Sequence, residues 1–197
     1  MEYTETTGRP RRFPWSCNRT FADREVEQLT ALMGELVERT VDQVHDLPSD
    51  ALLFRPNHVW FSIAGLALHM SASEYRQVQH LLPLNRRDGE KDGPQLESQL
   101  LEDLDHGDIR SDMTVPERLA DGELLSGIMR SVHRDFTIHV CSGVRDADAR
   151  LGKECLFSTP RDLLAHMNWH WSYHSGQIGL LRLMWGDNYV WTMAGRQ

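Results

Sequence analysis

Cysteine is scarce in this 197-residue chain. Cys17, Cys141 and Cys155 are odd in number, far apart, and never form a CxxC pair. That argues against a disulfide framework and a thiolate zinc site, and it suits a reducing compartment. Each reads as a small buried apolar residue. Positive charge is also in deficit: 21 Lys and Arg stand against 29 Asp and Glu, a formal net charge of −8. With no basic stripe, nucleic acid is not expected as a partner. No uninterrupted apolar run approaches transmembrane length, so no membrane partner is expected either. The opening MEYTETTGRP lacks the apolar core of a signal peptide. A soluble, cytoplasmic protein is the expectation. Internal repeats are missing, and so is any period-2 pattern long enough to build a sheet.

Helical periodicity fills the space these absences leave. Residues 1 to about 19 are polar, with Arg9, Arg11 and Arg12 around two prolines. They read as an arm, pinned by Phe13 and Trp15, ahead of a single domain over 20–197. Leu29, Leu32, Met33, Leu36, Val37, Val41 and Val44 predict a first helix from near Thr20 to about Asp46, with Thr20 and Asp23 as a capping pair. A second helix is expected over 58–82, where Ser62 is a candidate N-cap and Ile63, Leu66, Met70 and Leu81 form the apolar side. From Pro83 to Pro116 the chain is charged and rich in Gly and Pro, with LESQLLEDLD as a short helix and its acidic run as solvated surface. A connection this long inside one domain fits a crossover that makes two bundle helices parallel. Leu125, Ile128, Met129, Val132, Phe136 and Val140 mark a third helix, about Glu117 to Val144.

The fourth helix organises the rest. Ser158 or Thr159 can cap it, Pro160 suits its first position, Asp162 puts a carboxylate in the first turn, and Gly186 is a plausible stop. Leu163, Met167, Trp171, His174, Ile178, Leu181 and Trp185 share its apolar face. After Gly186, Tyr189 and Trp191 are expected to pack back on the helices. Four long amphipathic helices with a long crossover between helices two and three predict an all-α four-helix bundle.

His166, His170 and His174 recur every fourth residue on that last helix. Two imidazoles at i, i+4 can reach one ion from successive turns. The three span about 12 Å of helix axis, so only one adjacent pair can share an ion: 166/170 or 170/174. The bland alternative for any one of them is a buried histidine with a hydrogen-bond partner. A third ligand would come from another helix. His69, beside the apolar side of helix two, is the first candidate, and His133 on helix three is the runner-up. Glu74 lies five residues after His69, roughly 140° round the helix, and reads as a solvated group or one behind the ligands. Trp60, Trp169, Trp171 and Tyr173 could wall a pocket, or could simply pack.

Together these residues resemble the DinB/YfiT-like superfamily of putative metalloenzymes. The resemblance runs from helix one to Gly186. It rests on His170-Trp171-Ser172-Tyr173-His174-Ser175-Gly176-Gln177, which matches HxxxHxGQ, and on Ser62-Ile63-Ala64-Gly65-Leu66…His69, which matches GLxxH. It implies a four-helix bundle in which His69, His170 and His174 bind one divalent ion, with the 170/174 pair favoured by Gly176-Gln177. His166 is then the extra histidine. Ser175 departs from the family, which usually has Arg there. Members with an assigned activity include thiol-dependent S-transferases and a thiol-dependent isomerase. Three neutral histidines leave an ion with open positions, the pattern of a catalytic site, and suit Zn, Ni, Fe or Co. Such an ion lowers the pKa of bound water or of a low-molecular-weight thiol. The expected function is metal-dependent thiol S-transfer, or a related addition, to a small-molecule electrophile. The alternatives are a hydrolase using activated water and a non-enzymatic protein whose ion only braces the helices. A homodimer is expected, since members of this family often pair.

Overall fold

The computed structural model describes residues 4–11, 14, 16–17, 19–57, 61–85, 94–107 and 114–193. The chain is mainly helical, with one small sheet. Helix α1 (Arg24–Val44) starts later than the expected Thr20, because Asp23 alone is the cap. Its carboxylate accepts from the backbone N–H groups of Glu25 and Val26 at 2.8 and 3.0 Å. The other Asp23 oxygen takes the N–H of Ala147, which ties this helix end to the last connection. A short α2 (Ser49–Leu53) follows. Helix α3 (Ile63–Val78) is capped by Ser62, whose hydroxyl accepts from Gly65 N–H. It runs on through a 3₁₀ turn (Gln79–Leu81) into α4 (Leu82–Asn85). Residues 58–60, where the sequence expectation began this helix, lie outside the described residues, as do Phe13 and Trp15.

Helix α5 (Ser98–Asp105) in the crossover packs on α3. Its acidic run is not all solvated: Asp103 is buried and takes Arg118 at 2.7 Å and the Gln99 amide at 3.1 Å. The third helix also begins later than expected. Glu117–Leu119 is a 3₁₀ turn, and α6 (Gly122–Ser131) starts at the Asp121 cap. A π-helical turn (Val132–Thr137) separates α6 from α7 (Ile138–Ser142). Helix α8 (Pro160–Trp185) follows its signals: the Thr159 side chain caps it, Pro160 opens it, and Gly186 closes it at φ 120°. That φ is open to glycine and strained for other residues.

Helix α1 packs on α8 and α6, while α3 packs on α8, α6 and the π turn. Met33, Leu68, Met70, Leu125, Met129, Phe136, Leu163 and Trp171 fill the space between them. Trp185, expected on the buried face of α8, is 36% exposed.

The sheet corrects a purely helical expectation. β1 (Thr4–Thr7) and β2 (Asp187–Val190) pair in parallel, Thr4 opposite Asp187 and Thr7 opposite Val190. Four residues per strand is too short for a period-2 signal, and the strands come from opposite ends of the chain. Buried Arg182 holds the junction, giving one N–H to the Gln43 carbonyl at 2.6 Å and others to Asp187. The arm is tied to α1 as well: Arg9 and Arg11 both bond the Asp42 carboxylate. Tyr189 lies over Arg182 and Trp191 over Arg39, so the tail does pack back.

Candidate metal centre

Helices α3 and α8 bring His69, His170 and His174 together. Each offers one ring nitrogen, and these three atoms lie within 4.8 Å of one another. The ring centroids are 4.4 to 5.0 Å apart. His69 and His170 are buried, and His174 is half-buried, so the cluster sits at the edge of the core with one side toward the surface. The Nε2 atoms of His69 and His170 are 3.2 Å apart. Two nitrogens each about 2.0–2.1 Å from one ion at a tetrahedral angle are about 3.3 Å apart, so this spacing suits a shared ion. Three histidines this close can hold a metal ion.

Proton accounting supports the same use of Nε2. Nδ1 of His69 lies 3.2 Å from the Gly107 carbonyl, which can only accept. His69 therefore keeps its proton on Nδ1 and turns the Nε2 lone pair inward. His174 is set the same way by the Gln177 carbonyl oxygen, 2.6 Å from Nδ1. Metal-ligating histidines commonly have such acceptors behind them. Among the described residues, buried Nδ1 of His170 has no hydrogen-bond partner, so this ring is the least anchored of the three. Burial, then the neighbouring His174, His69 and His166, pushes the His170 pKa down to about 3. Burial lowers that of His174 too, against the Gln177 hydrogen bond. Both rings are thus neutral near pH 7, the form that binds metal.

Other candidates are placed elsewhere. His166 stacks between Phe157 and Trp169, its ring 6.1 Å from that of His170 and outside the cluster. His133, the runner-up ligand, is turned away: its Nδ1 bonds Glu74 Oε1 at 2.9 Å. Glu74 is neither solvated nor behind the ligands. It is wholly buried, and its second oxygen accepts from Trp171 Nε1 at 2.8 Å. A helix wheel places Glu74 away from His69 but does not show that this side of α3 is covered too. Trp171 consequently packs in the core. Trp169 and Tyr173 are exposed and stacked 5.3 Å apart, with Tyr173 edge-on to His174. Phe61 stacks on His69 at 5.7 Å. Trp60 lies outside the described residues. Ser175 faces α1, where it accepts from buried Gln43.

Two participants escaped the sequence. Gly107 leaves the loop so close to α3 that an added Cβ would lie 2.4 Å from the Leu68 carbonyl. Only glycine lets the Gly107 carbonyl reach His69, and nothing in the local sequence says where the loop docks. Gln177 was visible as a motif position, but its hydrogen bond was not. Cys17 and Cys141 are unsuited to nucleophilic work: burial raises their thiols to about 11 and about 12. Among the described residues no helix is long and apolar enough to cross a membrane. Compared with known proteins, the chain matches no family model and no curated sequence.

Proposed function

We propose that this is a four-helix bundle of the DinB/YfiT type and a divalent-metal enzyme, with His69, His170 and His174 as ligands and thiol S-transfer to a small electrophile as its reaction. The observation that carries the reading is the convergence of three imidazoles, two of them held from behind by Gly107 and Gln177. An ion bound there would supply Lewis acidity and lower the pKa of a thiol or water brought to it. The chain's own residues do the rest. Gly107 and Gln177 hold protons on the outer nitrogens, so the inner lone pairs stay available. Phe61 and Tyr173 flank the rings and offer apolar contact to a substrate at the half-buried His174 edge. Burial raises the Cys17 and Cys141 thiols, and the nucleophile in this reading is an external low-molecular-weight thiol. Zn, Ni, Fe and Co all suit this donor set. The proposal includes a homodimer, taken up below.

Elemental analysis of protein purified without a metal-affinity tag tests the first step. About one divalent ion per chain is expected, from the one-site reading of three imidazoles. The second step is an electrophile turnover assay with and without a small thiol. Turnover only with thiol supports S-transfer. Equal turnover without thiol replaces it by hydrolysis, and a metal-loaded protein with neither activity leaves a bracing ion.

A further inference from the structure

Glu74 and His133 form a second site that the metal chemistry does not use. Glu74 is wholly buried, and both of its oxygens take N–H groups, one from Trp171 and one from His133. Because the tryptophan N–H can only donate, Glu74 acts as acceptor and sets His133 with its proton on Nδ1. His133 is 4% exposed, and among the described residues its Nε2 makes no hydrogen bond. His133 lines a cavity of about 430 Å³ walled by α1, by the π turn with Ile138 after it, and by Pro14, Ser16 and Cys17 of the arm.

Two backbone features keep that nitrogen accessible. The first is Gly34, in the middle of 21-residue α1. Glycine there costs about 1 kcal/mol of helix stability relative to alanine. A Cβ at this position would lie 2.7 Å from His133 Nε2, and Glu74 holds the ring so that it cannot yield. Glycine is therefore what keeps the face of the nitrogen clear. The second is the π turn itself, which carries His133. Single π turns inside α-helices occur frequently at functional sites.

The cavity lining defines a ligand. Glu35 and Glu38 face it but are spent on Arg39 at 2.9 Å and on Arg130 through two bonds of 2.8 Å. Arg134 also lines it, is exposed, and among the described residues has no ion pair. Val37 and Ile138 supply an apolar wall. We infer that this cavity binds a small hydroxy acid, whose hydroxyl hydrogen-bonds with His133 Nε2, whose carboxylate meets the Arg134 guanidinium and whose apolar body lies against Val37 and Ile138.

The test is a titration of ¹⁵N-labelled protein with mandelate, a hydroxy acid with an apolar ring, following the imidazole nitrogens. Saturable binding that shifts His133 Nε2 is expected. Phenylacetate, which lacks the hydroxyl, and the Arg134→Gln variant should each weaken it about tenfold, the size of one hydrogen bond or one exposed ion pair. Gly34→Ala should abolish it. Arg134 lies on the surface, so its variant reports even if Gly34→Ala folds poorly. The inference is overturned if nothing saturates at millimolar mandelate. It is equally overturned if only His69, His170 and His174 shift, or if Arg134→Gln binds as the unaltered protein does.

Discussion

At the scale of single residues, hydrogen-bond partners separate histidines that look alike in the sequence. His69 and His174 have an acceptor behind the ring, while His166 lies against the rings of Phe157 and Trp169. The expected outcome is that His69→Ala, His170→Ala and His174→Ala each lose most bound metal, whereas His166→Ala keeps it. Metal content of the four purified variants decides this. Loss in His166→Ala with retention in His174→Ala would shift the register by one turn. Gln177→Ala should keep all three ligands yet bind about 10–100-fold more weakly, because the His174 tautomer is no longer held. Protons give a separate readout. The folded pKa values of His170 and His174 lie below 6.5, that of His170 at about 3. Unfolded imidazoles titrate near about 6.5. Below that pH the unfolded chain therefore binds protons that the fold refuses. Stability of the metal-free protein should be full above about pH 6.5 and fall steadily as pH drops toward 3. Denaturant midpoints across that window check it; a flat profile contradicts neutral buried rings.

At the scale of elements, α3 and α8 are joined twice. One contact is the histidine cluster, and the other is the bond from Trp171 to Glu74, which continues to His133 on the third helix. Removing Glu74 would strand two buried N–H groups, each costing about 1–3 kcal/mol. Glu74→Ala should therefore lower stability by about 2–6 kcal/mol in chemical denaturation, on the sum of those two penalties. A cost under about 0.5 kcal/mol, typical of a surface change, would mean that Glu74 is not buried as described. Helix starts were legible at Ser62 and Thr159, whose side chains cap α3 and α8 as expected. The first and third helices were placed too early because Thr20 and Glu117 are good local signals. Asp23 and Asp121 win by accepting the first free N–H groups.

At the scale of the whole molecule, the outer face of α8 remains apolar. Trp169, Tyr173, Leu180, Leu183 and Met184 are all more than a third exposed and follow helical spacing. Contiguous apolar surface of this kind marks an interaction site more often than scattered single residues do. The proposed homodimer would cover it. Light scattering should show self-association, reduced to the 22.7 kDa monomer by Leu180→Glu with Met184→Glu. A monomer at every concentration in the unaltered protein rejects the dimer.

The sequence alone determined the helices and the histidine spacing, because a 3.6-residue period and i, i+4 neighbours are properties of one segment. It also carried the limits of α8, since Thr159, Pro160 and Gly186 act on their own backbone. Which histidines meet was decided only by packing. His69 and His133 both lie by an apolar stripe, and their roles differ because α3 turns one toward α8 and the π turn brings the other to Glu74. The parallel strand pair, the Gly107 carbonyl at His69 and the cavity kept clear by Gly34 depend on chain segments tens of residues or more apart. Their cause is three-dimensional: one backbone can approach another closely only where the folded core brings the two together.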